Sequence, residues 1–228
     1  MPPEEILDAE VVAELPQLPT VWLQDFYTIR QKVLAIGGKY YIDDAAGRPL
    51  AFCHQKAFKF KEDVRIFESE AMATEFLSVQ QLQWLDAFAQ FRVTDSLSGQ
   101  LLGYINRQWM TSNVQSEYLL LDGYERPFAR IIEDSLGMGL ARRLSGGILP
   151  STYVIELQGR PVAKLTQDFK LIGDTWTLDA RGDPDRVLDR RLMVAGALLM
   201  DIVEQHEKRS GMAGPGRSHH RHHRRHRH

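Results

Sequence analysis

Residues 192–200 read Leu-Met-Val-Ala-Gly-Ala-Leu-Leu-Met, a run with no polar side chain, preceded by Asp189-Arg190-Arg191 and followed by Asp201. A helix on a protein surface shows one apolar stripe and one polar face. This run shows no polar face for about two and a half turns, at 3.6 residues per turn. It is too short to cross a bilayer, which takes about 20 apolar residues. A helix of this kind must be wrapped by protein, so Leu192, Val194, Ala195, Gly196, Leu198 and Leu199 are expected in the core. What precedes it reads as strands, and the expected wrapper is a closed sheet.

From Phe26 the polarity alternates with period two. Tyr27, Ile29, Gln31 and Val33 share one face, and Thr28, Arg30 and Lys32 the other. A turn at Gly37-Gly38 leads into a strand at 39–42. Further strands are expected at 50–57, 64–68, 76–83, 91–95, 101–108, 118–122, 128–134, 153–158, 162–169 and 175–180. About a dozen short strands, with turns every eight to twelve residues, argue for a sandwich or barrel over a βαβ fold.

The units resemble one another. Ile29-Arg30-Gln31-Lys32, Cys53-His54-Gln55-Lys56, Ile105-Asn106-Arg107-Gln108 and Leu165-Thr166-Gln167-Asp168 occupy equivalent places. Turn phrases recur as Ala46-Gly47-Arg48-Pro49, Ser98-Gly99-Gln100-Leu101 and Gln158-Gly159-Arg160-Pro161. One hairpin cannot bury its apolar face alone, so repeated hairpins imply a shared closed core. The fold class is therefore all-β, or β-rich α+β: a closed antiparallel barrel of about twelve strands threaded by the apolar C-terminal helix. One internal helix is expected at 135–144, capped by Asp134 or Ser135, ended by Gly146-Gly147 and covering one mouth. Residues 1–20, marked by Pro2, Pro3, Pro16 and Pro19, read as a flexible leader, 21–208 as the folded domain, and 209–228 as a disordered His/Arg-rich tail. The tail's composition fits either a purification tag or a natural low-complexity extension.

Five of the 28 basic residues, Arg217, Arg221, Arg224, Arg225 and Arg227, lie beyond residue 216, leaving 23 against 30 acidic residues, a net of −7 for the rest. An acidic body lacks the clustered Lys and Arg that phosphate contacts need, so no nucleic-acid partner is expected. A single cysteine, Cys53, excludes an internal disulfide and suits a reducing compartment. Residues 1–14 lack a secretory pattern, and a cytoplasmic protein is expected.

No catalytic constellation stands out. Cys53 reads as a buried small hydrophobe, and His54 and His206 are far apart in sequence. There is no nucleophile elbow or zinc spacing, and Gly137-Met138-Gly139 is too short for a phosphate loop. Neither an enzyme nor a cofactor is expected. Trp84, Trp109 and Trp176 read as barrel core or rim. Lys56, Lys59, Lys61 and Arg65, interleaved with Phe58 and Phe60, form the best local basic-aromatic cluster. It reads either as a charged hairpin rim or as a patch facing lipid headgroups, where each near-surface cation adds about 1 kcal/mol.

The order of these phrases resembles the tubby-like C-terminal fold, in the branch holding LURP-one-related proteins and phospholipid scramblases. Carrying it are Tyr27-Thr28-Ile29-Arg30-Gln31-Lys32, Ala51-Phe52-Cys53-His54-Gln55-Lys56, Lys61-Glu62-Asp63-Val64-Arg65-Ile66 and the segment from Asp189 to Asp201. The resemblance covers about residues 22–207 and implies a twelve-stranded barrel threaded by the helix. It further implies a protein that binds or moves phospholipid, with a calcium loop just before the helix. That segment here holds Asp179, Asp183, Asp185 and Asp189. Counted from Asp179 as a calcium loop, it puts Arg181, Pro184 and Arg190 where an oxygen ligand, Gly and Glu are wanted. No metal is expected, with Asp179, Asp183 and Asp185 as weak candidates, and the four aspartates read as loop caps. The expected partner is an anionic phospholipid surface, at the inner face of the plasma membrane, or another protein. A lipocalin-like carrier of a small ligand and a structural interaction module are the alternatives, and the helix separates the first of these, since inside the barrel it fills the space of a ligand.

Overall fold

A computed structural model describes residues 18–32, 38–57, 62–85, 88–109, 116–134, 152–168 and 175–210. The leader up to residue 17, the helix expected at 135–144 and the tail from residue 211 lie outside the described residues.

A short 3-10 turn, Thr20–Leu23, precedes the wall. The strands are β1 (Phe26–Gln31), β2 (Lys39–Asp43), β3 (Pro49–Ala57), β4 (Glu62–Phe67), β5 (Glu75–Leu85) and β6 (Phe88–Asp95). They continue as β7 (Leu101–Trp109), β8 (Ser116–Leu121), β9 (Pro127–Glu133), β10 (Thr152–Leu157), β11 (Arg160–Asp168) and β12 (Thr175–Asp179), followed by helix α1 (Arg190–Ser210). Each strand pairs antiparallel with its sequence neighbours, and β1 also pairs with β12, closing the barrel. Phe26 faces Asp179 and Arg30 faces Thr175 across that seam.

Period-two alternation turns one side chain in two inward, and these are the apolar ones. Tyr27, Ile29, Ile66, Val79, Ile131 and Leu178 are all at most 1% exposed. What they close around is α1. Its residues from Leu192 to Met200 are buried, most of them completely. A Cβ placed on Gly196 would meet Ile131 of β9 and Leu120 of β8. From a different stretch of the wall, the Trp176 indole of β12 donates a buried hydrogen bond to Asp201 Oδ1 at 2.9 Å. Contacts on separated strands place the helix inside.

The helix starts where Asp189 caps it. The Asp189 carboxylate accepts from the Arg191 amide at 2.8 Å, and its carbonyl accepts from Leu192 and Met193. It runs on past the apolar stretch to Ser210, since the polar residues after Asp201 carry no helix breaker before Gly211.

The repeated phrases have a physical origin. Ile29, Cys53, Ile105 and Leu165 are buried, and the residue two further on each strand shares their face. Gln55, Arg107 and Gln167 are thereby buried too, making a polar band toward one end of the interior. At the opposite end the turns are tied by aspartates. Asp44 accepts from the Ala46 and Arg48 amides, Asp95 from Leu97 and Ser98, and Asp122 from Tyr124 and Arg126. β6 begins three residues before the expected Phe91. A register shift between Gln81 and Gln83 of the paired β5 breaks the alternation there, hiding the ends of both strands from a period-two reading.

Candidate functional site

Because Cys53 and Gln55 turn inward, His54 and Lys56 turn outward on β3. The register sets Lys39 of β2 opposite His54, and His54 opposite Arg65 of β4. Directly paired side chains of one face stand about 5 Å apart at Cβ. Lys39, His54 and Arg65 thus form a row across three strands, with the exposed Lys56 beside it.

The charges in this row are not equivalent. Arg65 is bound by two carboxylates, Asp63 at 2.5 Å and Glu75 at 2.9 Å, so its charge is more than offset and it adds no net positive charge to the patch. His54 has cations on both flanks. Partial burial, then the charges of Lys39 and Lys56, hold its imidazole below the ordinary histidine value. Of the cluster expected from sequence, Lys56 and Arg65 are therefore brought to one outer face, while Phe58, Lys59, Phe60 and Lys61 lie outside the described residues. Lys39 was missed. It is distant from Lys56 in the chain, and only strand register joins them; the Gly37-Gly38 turn announced a hairpin without setting that register.

The aspartates before α1 do local structural work. Asp183, 4% exposed, accepts from the Val187 and Leu188 amides at 3.0 Å and from the Arg190 guanidinium at 2.7 Å. Asp179 is paired with Arg181, and Asp185 is exposed. Among the described residues no three His, Cys, Asp or Glu converge as a metal site. Millimolar calcium is expected to leave the melting temperature within a degree or so, because binding must first strip Asp183 from Arg190. A rise of several degrees that disappears in Asp185→Ala would show calcium binding in this loop.

Cys53 is completely buried, and burial pushes its thiol far up, which keeps it protonated and unreactive. Trp176 is part of the interior, whereas the side chains of Trp84, Trp109 and His206 fall outside the described residues. The space a lipocalin-like carrier would offer a ligand holds α1. Among the described residues no helix is long and apolar enough to cross a membrane.

Comparison with known proteins gives one finding. A family model described as LURP-one-related matches residues 26–201, from the first strand of the barrel to the last residues of the apolar stretch of α1. No curated protein matches the chain, and no solved structure does. The family match spans the whole barrel and the apolar part of the threaded helix, and the chain belongs to the LURP-one-related family.

Proposed function

We propose that this barrel is a non-enzymatic module that docks peripherally on anionic phospholipid through the outer face of β2 and β3 and the connection that follows. The observation carrying the reading is the outward clustering of Lys39, His54 and Lys56. The sequence continues it directly with Phe58-Lys59-Phe60-Lys61. Lysines attract an anionic leaflet at about 1 kcal/mol each, and phenylalanines suit the headgroup boundary. The interior is occupied by α1, so a ligand is met from outside. The acidic body repels an anionic surface as a whole, which makes contact depend on this patch.

Sedimentation with vesicles tests it. Protein is expected to pellet with phosphatidylglycerol-containing vesicles and not with pure phosphatidylcholine. Salt is expected to release it, as the Debye length falls from about 10 Å at 0.1 M to about 3 Å at 1 M. Lys39→Glu with Lys56→Glu, and separately Lys59→Glu with Lys61→Glu, should each lower binding roughly tenfold or more. The chain ended after Ser210 should behave like the full chain, which separates the patch from the five tail arginines. Equal binding to both vesicle types, or indifference to charge reversal, removes the patch. No binding at all overturns the membrane reading.

A further inference from the structure

We propose, resting on the membrane reading above, that docking is coupled to a proton: His54 becomes protonated as the barrel meets an anionic surface, and the barrel binds more tightly as the pH falls. The geometry supplies the coupling. His54 faces Lys39 from β2 and Arg65 from β4, and Lys56 lies two residues along its own strand. Among the described residues three carboxylates border this row. Asp63, which also stands opposite Lys56, and Glu75 are engaged by Arg65, Glu75 also accepts the Ser96 hydroxyl at 2.6 Å, and Glu70 beside Lys39 is engaged by Lys32 and Tyr41. In the free protein an imidazolium at this place meets like charge on both sides, and partial burial adds to the penalty.

Anionic headgroups drawn to Lys39 and Lys56 reverse the sign of that field. Opposite charge within about 4–6 Å favours the charged form. Binding and protonation then strengthen each other by the same factor, since coupling between two binding events is reciprocal. The free imidazole titrates below its ordinary value and the bound one above its free value. The gain therefore develops as pH falls through the mildly acidic range and levels off once the free protein is itself protonated. One added near-surface cation corresponds to about fivefold in affinity.

The test compares the full chain with H54Q on vesicles of phosphatidylglycerol in phosphatidylcholine, at about pH 7.5 and about pH 5.5. The tail histidines and His206 are present in both chains, so the difference between the two isolates His54. The full chain is expected to gain about fivefold more affinity than H54Q on acidification. An equal gain in both overturns the coupling and leaves the membrane reading standing. No binding to these vesicles at either pH overturns both. A second measurement does not depend on the variant folding. The NMR titration midpoint of the His54 imidazole in the full chain should rise when anionic vesicles are added, and an unmoved midpoint at saturating lipid overturns the proposal.

Discussion

Ala195→Asp is expected to leave no folded protein. Ala195 is completely buried in the apolar stretch of α1, between Val194 and Gly196 and within a barrel whose inward side chains are apolar at that level. A new carboxylate there has no counter-charge and no water. Leaving one charge uncompensated in an interior costs about 3–5 kcal/mol, and overpacking a filled site adds about 1–3. A domain of this size is stable by about 5–15 kcal/mol, so the change consumes most or all of it. The expected readout is insoluble protein, or soluble protein without a cooperative melting transition. Ala195→Gly, which only weakens the helix by about 1 kcal/mol, serves as the control and should melt a few degrees lower. A soluble Ala195→Asp protein with unchanged melting would mean that α1 does not occupy the barrel.

Arg190→Met is expected to cost about 3–5 kcal/mol, roughly 6–20 °C in melting temperature for a domain of this length. Arg190 is 2% exposed. Its guanidinium reaches Asp183 at 2.7 Å, Asp25 at 2.9 Å and the carbonyls of Ala180, Asp183 and Leu188. Methionine fills the space and satisfies none of these. Asp183→Asn should cost less, because an amide oxygen can still accept from Val187 or Leu188. The double variant should lose clearly less than the sum of the singles, since one buried charge without the other is the main penalty; strictly additive losses would refute the pairing. Acid should act through the same site. Burial pushes the Asp183 carboxyl up, but the bond from Arg190, the two backbone amides and the Arg190 charge outweigh it and hold it below the usual carboxylate range. A lowered carboxylate stabilises the fold above its unfolded value of about 3.9, and that contribution is lost as pH falls through the lower folded value. Wild-type stability should therefore drop in acid below about pH 4, and Asp183→Asn should show a shallower drop.

The frame of this molecule is legible in its sequence because it rests on composition and period. Nine apolar residues in a row demand enclosure, and alternation from Phe26 onward shows what encloses them. The strand seams are less legible. Which residues of β2 and β3 sit opposite each other depends on hydrogen-bond register and on the bulge at Ile42/Asp43, and no local pattern encodes that. Lys39 and His54 were accordingly invisible as neighbours. The aspartates before α1 read as caps, and Asp179, Asp183 and Asp189 each accept a nearby backbone amide. The burial of Asp183 was not legible, because its partner Arg190 lies seven positions on and is itself held by Asp25 ahead of the first strand.

The seam between β1 and β12 has a consequence for how the chain is made. Phe26 waits for Asp179, roughly 150 residues later, and the core those strands surround is translated later still. At about 5–20 residues per second, β1 spends on the order of ten to thirty seconds with an unpaired edge. The sheet meanwhile has nothing to close around. Contacts this distant in sequence also slow folding. The nascent barrel is thus an open, sticky sheet until its final helix leaves the ribosome. Demand for chaperones should be concentrated in that interval, and release should coincide with arrival of α1.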